Sequence, residues 1–432
     1  MRLIRVNAAV RNRSPRRLAA AWVAASLLHL NAAGGSEPSR ADEGWPQWRG
    51  PTRDGLVSGA AWPDRLDASR LRAGWEVPLG PGYSGPVIHD SRVFVTETLD
   101  RREEVVTALD RSSGAKLWQS RWAGALSVPF FARSNGDWIR STPACDGDRL
   151  YVAGMRDVLV CLAVADGAEL WRLDFVAAFG SPLPDFGFVS SPLVADGSVF
   201  VQAGGGVARV DARSGRVEWR ALNDGGGMMG SAFSSPVIAT LGDRRQLVVQ
   251  SRSTLAGLDL SSGATLWSQP VKAFRGMNIL TPVVHGNILL TSTYGGRTIG
   301  YRVEREQDDF RVEEAWQHKS QGYMSTPVVV GTHAYHHLRS QRVMCLDLRS
   351  GEEAWTSPRS FGKYWSMVAQ GDRILALDQK GELFLLRATP EGFELLDSRR
   401  VSESETWAHL AVTEGQLFVR SLDRLTEWRW KD

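Results

Sequence analysis

Residues 108–118 read Ala108-Leu109-Asp110-Arg111-Ser112-Ser113-Gly114-Ala115-Lys116-Leu117-Trp118: an apolar strand ending in Leu-Asp, a Ser-Gly turn, and a second strand that carries a tryptophan. The phrase returns, degraded but in register, as Cys161…Asp166-Gly167…Trp171, Asp211…Ser214-Gly215…Trp219, Asp259…Ser262-Gly263…Trp267 and Asp347…Ser350-Gly351…Trp355. Trp75 and Trp316 keep the same rhythm. Self-similarity at a period of roughly 40–50 residues marks a propeller or a solenoid.

Each repeat has four pieces. A hydroxyl residue, usually followed by proline, opens the first strand, as in Ser141-Thr142-Pro143, Ser190-Ser191-Pro192, Ser234-Ser235-Pro236 and Ser325-Thr326-Pro327. An Asp/Gly turn leads to a second strand, a third runs into Leu-Asp, and the Ser-Gly turn delivers the tryptophan strand. Short alternating runs separated by Asp, Gly and Ser are antiparallel strands joined by tight turns. Proline fits at a strand start, where its missing N–H costs little. Counting first strands gives eight copies, the last two weak, around Met367 and His409. The final copy reaches the C-terminus after three strands, while Gly74-Trp75-Glu76-Val77-Pro78-Leu79 is a tryptophan strand without a blade. Joining the two closes a ring and hides both sheet edges. The expectation is an all-β, eight-bladed propeller of four-stranded antiparallel blades. Seven blades is the alternative, because residues 373–396 lack a tryptophan.

At 43% hydrophobic and 23% charged residues, the composition is that of a globular protein with an ample core. Residues 1–35 hold six arginines and no acid, so removing them turns the formal charge of +3 into about −3. A weakly acidic body argues against a nucleic-acid partner. The arginines precede an apolar run from Leu18 to Leu30 and small residues at 32–35, the pattern of a secretory signal peptide. That run is shorter than the roughly 20 residues that a membrane span needs. The division expected is a signal peptide at 1–35, an extended lead-in at 36–72 and the propeller at 73–432. The mature chain is expected to be a periplasmic or secreted monomer without a membrane span.

In this register each of Trp75, Trp118, Trp171, Trp219, Trp267, Trp316 and Trp355 can lie across the Ser-Gly turn of the adjacent blade, burying about 150–250 Å². They are structural docking residues. Cys145, Cys161 and Cys345 are too few for a disulfide framework. Cys145 and Cys161 fall on the first and third strands of one blade, about 10 Å apart and beyond disulfide reach.

The phrase Ala-x-Asp-x-x-Ser-Gly-x-x-x-Trp resembles the docking motif of the pyrroloquinoline-quinone (PQQ) propeller superfamily. That superfamily includes quinoprotein alcohol dehydrogenases and the propeller lipoprotein of the outer-membrane β-barrel assembly machine. The resemblance covers residues 73–430. Trp45-Pro46-Gln47-Trp48-Arg49-Gly50-Pro51-Thr52-Arg53-Asp54-Gly55 is similar to the lead-in of secreted PQQ-like repeat proteins of the planctomycete type, and is expected to pack Trp45 and Trp48 on the propeller flank. The resemblance implies that an enzyme of the class would hold PQQ beside adjacent cysteines, with a metal ion bound by Glu, Asn and Asp. This chain has no adjacent cysteines. The expectation is therefore a non-catalytic scaffold without PQQ or metal, the alternative being a PQQ-dependent oxidoreductase. His333-Ala334-Tyr335-His336-His337, the only histidine cluster, puts His333 and His337 on one strand face but offers no metal partner; His336 stands where other blades have a buried Val.

The loops before the first strands fall on one face, around the central channel. They carry an aromatic and methionine crown with a few cations and amides, the usual chemistry of a recognition surface. Tyr83, Arg140, Phe188, Asn278, Tyr323, Lys363 and Trp407 are the candidate contacts for a protein or peptide partner in the cell envelope. The other reading of these side chains is that they plug the channel.

Overall fold

The computed structural model describes residues 44–225 and 233–431. The leader at 1–35 and Met228-Met229 of the crown lie outside the described residues. Eight separate four-stranded antiparallel sheets make up the chain. Blades 1 to 7 span 87–123, 144–174, 193–221, 237–270, 283–318, 328–356 and 365–400, each with its four strands in chain order. Blade 8 takes three strands from 411–430, and its fourth, Leu71–Pro78, pairs antiparallel with Arg424–Trp430 from Leu71↔Trp430 to Pro78↔Arg424. The ring is an eight-bladed propeller whose two ends share one sheet.

Burial follows from that stacking. Second and third strands, such as Arg149–Gly154 and Val158–Ala163, are buried on both faces because sheets lie against sheets. Outer strands such as Glu169–Asp174 alternate between exposed and half-buried residues. The hydroxyl that opens each first strand has a specific use. Gly85 N donates to Thr142 Oγ1, Thr142 N to Ser191 Oγ, Ser191 N to Ser235 Oγ, Ser235 N to Thr281 Oγ1 and Thr281 N to Thr326 Oγ1, at 2.9–3.2 Å. This belt satisfies backbone N–H groups that no ladder reaches, blade after blade around the channel.

The indoles cross blade boundaries in six of seven cases. Trp75, Trp118, Trp171, Trp219, Trp316 and Trp355 donate Nε1 to the backbone carbonyls of Arg111, Val164, Ala212, Leu260, Leu348 and Thr389 in the next blade. For five of them the turn glycine (114, 167, 215, 263 or 351) sits under the ring, where a Cβ would come within 2.7 Å or less. Trp267 departs from the expectation. Blade 5 joins its third and fourth strands by a Gln307-Asp308 hairpin with no Ser-Gly turn, and Trp267 donates instead to Gln246 Oε1 of its own blade at 2.6 Å.

Blade 7 lacks its tryptophan for a related reason. Its target would be the connection between the third and fourth strands of blade 8, and there the chain is open, because those strands come from opposite ends of the sequence. Asp397 occupies the tryptophan register, opposite Leu385. It accepts a hydrogen bond from Leu66 N of the lead-in, and buried Leu66 and Trp62 fill the gap, with Trp62 stacked on Trp430.

The lead-in does not lie on the flank. Trp45 bridges Ile88 of blade 1, Pro46 O accepts from Cys145 N of blade 2, and Leu56 bridges Ala369 of blade 7. Between these points the chain crosses the channel. Arg53 donates to Pro192 O and Ser191 O of blade 3, and Arg49 to Thr326 O and Pro327 O of blade 6, across the ring. A channel ringed by strand-start carbonyls is rich in acceptors, and two guanidinium forks satisfy them.

Candidate binding site at the channel mouth

The lead-in blocks the channel from one face and leaves a cup of about 250 Å³ open on the other. Trp48 forms part of its lining, held between Arg49 and Arg53, whose guanidinium carbons lie 5.6 and 5.3 Å from the indole centre. Hydroxyls of the inner belt (Thr142, Ser191, Ser235, Thr281 and Thr326) line it as well. Apolar wall comes from Phe186, Val189, Phe233, Met277 and Ile279, and aromatic wall from Tyr83, Tyr323, Tyr364 and Trp407.

Apart from Trp48 of the lead-in, every part of this cup comes from a loop that leads into a first strand, which is why residues distant in sequence converge here. Trp138, Tyr83, Trp407 and Tyr364 form a run of ring contacts with centroids 5.3, 5.7 and 5.8 Å apart. Arg140 lies 5.3 Å over Tyr83 and donates to Gly136 O, while its Nε has no partner. It is not a free loop tip: burial lowers its pKa and pushes that of the Tyr83 phenol up to about 12. Desolvation brings Arg49 down to about 10 and, with Arg49 as a neighbour, Arg53 down to about 9. His409, edge-on to Trp48, is held neutral by burial and by Arg49, with its pKa lowered to about 3.

Of the candidate contacts, Tyr83, Arg140, Tyr323 and Trp407 line the cup, and Lys363 is exposed beside it, 5.7 Å over Tyr323. Two do not belong there. Phe188 is 2% exposed and packs edge-on against Phe175 of a short helix, Phe175–Phe179, in the core between blades 2 and 3. Asn278 is 2% exposed and ties down the loop by donating to Ser251 O and Arg252 O. A side chain before a first strand can point to the channel or down between blades, and loop sequence does not separate the two. Trp48, Phe233, Tyr364 and His409 also line the cup; the Trp-x-x-Trp-Arg spacing of the lead-in was the available signal for Trp48.

The histidine cluster is spread over different surroundings. His333 lies 3.9 Å from Asp347, His337 stacks on Trp365, and neither ring nitrogen of buried His336 has a partner. Among the described residues no group of three or more His, Cys, Asp or Glu is placed to hold a metal ion. The three cysteines are free and buried.

The fold and repeat have clear counterparts. The chain is 25% identical over 321 residues to outer membrane protein assembly factor BamB of Moranella endobia (strain PCIT), covering 70% of this chain and 66% of that protein. It is 21% identical over 321 residues to BamB of Yersinia pestis, covering 73% and 67%. The chain thus spans about two thirds of the length of the curated relatives it matches. A stretch of 169 residues is 26% identical to quinohemoprotein alcohol dehydrogenase ADH IIB of Pseudomonas putida, 36% of this chain and 23% of that enzyme. Among solved structures, BamB from Moraxella catarrhalis shares the fold, with a TM-score of 0.59 at 15% identity over 84% of this chain and 98% of that one. The family model described as outer membrane protein assembly factor BamB matches residues 101–357, more than half of the sequence. This chain belongs to the BamB family of PQQ-like β-propellers.

Proposed function

We propose that the protein is a non-catalytic, periplasmic or secreted propeller that binds a protein or peptide partner at the channel mouth and serves as an assembly scaffold in the cell envelope. The observation that carries this reading is the cup itself, a preformed aromatic and apolar recess closed from behind by the chain's own lead-in. Fixed aromatic side chains around a recess are the usual anchors of a protein interface, since they bury much area at little entropic cost. The family supports the reading through the assembly factors named above. Among the described residues no helix is long and apolar enough to cross a membrane.

The second reading is a PQQ-dependent oxidoreductase, favoured by the partial likeness to ADH IIB. The residues present do not fit that cofactor. Its three carboxylates would meet one lining guanidinium, Arg140, and no carboxylate or amide among the described lining residues could hold its metal. The lead-in also fills the axis behind the cup.

A photoreactive phenylalanine analogue at position 324, in the cup wall, tests the role in cells. It should give a discrete protein adduct, while the same group at position 213, in a turn on the opposite face, should give none. Equal or absent adducts at both positions reject the docking role. Uptake of PQQ with dye-linked alcohol oxidation would establish the rival.

A further inference from the structure

One half of the mouth face carries cations without acids. In an antiparallel blade, the loops entering first strands and the turns joining second to third strands share a face. On that face, between residues 251 and 381, these connections (251–253, 271–282, 293–297, 319–327, 338–342, 357–364 and 379–381) contain no Asp or Glu. They do carry Lys272, Arg275, Arg339, Arg342, Arg359 and Lys363, all exposed, and none makes an ion pair among the described residues. The body has a formal charge of about −3 once the first 35 residues are set aside, so the cations are a local concentration and not a molecular excess.

Three of these cations sit on an aromatic track that runs into the cup. Phe274, Tyr294 and Tyr323 follow one another with centroids 5.6 and 5.2 Å apart, and Tyr323 is part of the cup wall. Arg275 lies 5.2 Å over Phe274, Arg339 4.8 Å over Tyr294, and Lys363 5.7 Å over Tyr323. The rings hold the cationic heads in place, so less freedom is lost when an anion arrives.

The recess at the end of the track restricts what the anion belongs to. Its described polar lining is hydroxyls, Arg140 and the neutral His409, with no Asp, Glu, Asn or Gln. The belt hydroxyls already accept backbone N–H bonds, so the cup lacks the amides and carboxylates that usually meet the hydroxyl and amino donors of sugars and base edges. Phe186, Phe233, Met277 and Ile279 instead offer an apolar wall for one large apolar side chain.

Resting on the protein-binding role above, we propose that blades 4 to 7 dock an acidic polypeptide segment, its carboxylates on Arg275, Arg339 and Lys363 and one aromatic or large aliphatic residue in the cup. The test uses the full chain and short fluorescein-labelled peptides followed by anisotropy: Glu-rich with a central Trp, the same with Ser for Trp, and the same with Lys for Glu. The Glu/Trp peptide should bind, and affinity should fall steeply as salt rises from about 0.05 to about 0.5 M. Arg275→Glu/Arg339→Glu/Lys363→Glu should weaken it by more than about tenfold at unchanged melting temperature, while Arg213→Glu on the other face should not. The Ser peptide should bind more weakly than the Trp peptide. Equal binding of the Lys peptide, or an acidic peptide indifferent to the triple charge reversal, overturns the proposal. So does binding of oligothymidylate or anionic vesicles without binding of the acidic peptides. If no probe binds while the group at position 324 still captures a partner, the docking role stands and the acidic-segment proposal alone falls.

Discussion

At the scale of single residues, the repeat works through one indole and one glycine. Trp219 reaches from blade 3 to Leu260 O of blade 4 at 3.2 Å, and Gly263 lies beneath its ring with φ of 73°. A Cβ at position 263 would come within 2.6 Å of the indole, and the left-handed backbone there is itself unfavourable for other residues. Trp219→Ala should lower stability by about 3–5 kcal/mol through the cavity it opens. Gly263→Ala should be costly for wild type and cheaper once Trp219 is gone, so a double-mutant cycle in urea should be strongly non-additive. Additive losses would mean that the ring and the turn are not coupled. Trp267→Ala does not test the same contact, since its indole bonds Gln246 within blade 4. The tryptophan rhythm was legible in sequence because a repeat reports each position several times. The departure at Trp267 was not, because it depends on a turn missing from the neighbouring blade. Phe188 and Asn278 were misplaced for a similar reason: each loop occurs once, and nothing in its residues says which way a side chain turns.

At the scale of the element, the strand His333–His337 of blade 6 keeps the pattern of its counterparts while accepting an unusual residue. His336 occupies the register of Val152 in blade 2, fully buried, with both ring nitrogens unpartnered. Burial, and His337 beside it, lower its pKa from 6.5 to about 3. The unfolded chain therefore takes up this proton first, so the group's contribution is complete above pH 6.5 and is lost as pH falls toward 3. His337 and His409 act in the same direction. Glu104 acts in the opposite one. Buried against Trp122 Nε1 and Met155 N, it is raised to about 7, and its charging penalises the fold as pH rises from 4.5 to 7. Comparison with a variant isolates the histidine. His336→Val should leave stability near pH 7 equal or higher, because an unsatisfied buried N–H costs about 1–3 kcal/mol. Its advantage should then grow by about 1 kcal/mol for each pH unit below 6.5. Parallel curves of urea midpoint against pH for the two proteins would show that His336 is protonated in the fold or reaches water. The sequence did place His336 at a buried valine register, since strand alternation fixes that much. The hydroxyl belt was visible only as a recurring Ser/Thr-Pro, because its purpose lies in the next blade.

At the scale of the whole molecule, the ring depends on a segment outside the repeats. Blade count and closure by Leu71–Pro78 could be read from the orphan tryptophan strand and the short final copy. The path of the lead-in could not, because its partners are backbone carbonyls, which any sequence has. Arg49 and Arg53 are 0% and 4% exposed, and neither makes an ion pair among the described residues. Buried charges of this kind are costly unless hydrogen-bonded; here neither Nε has a partner, so the terminal NH2 groups need acceptors. The strand-start carbonyls of blades 3 and 6 supply them, and in return the two side chains brace opposite sides of the ring. Arg53→Ala removes the partner of Ser191 O and Pro192 O, and Arg49→Ala that of Thr326 O and Pro327 O. Each should cost about 2–4 kcal/mol, the scale of a few buried acceptors left bare together with lost packing. Arg53→Lys should recover only part of the loss, because an ammonium cannot span two carbonyls as the planar fork does. The same variants should weaken capture at position 324, since Trp48 stacks between the two guanidinium groups and lines the cup. Unfolding in urea followed by tryptophan fluorescence, with partner capture measured on the same preparations, checks both effects. Wild-type midpoints for Arg49→Ala and Arg53→Ala would mean that the lead-in is a passenger in the channel and that the blades hold the ring closed without it.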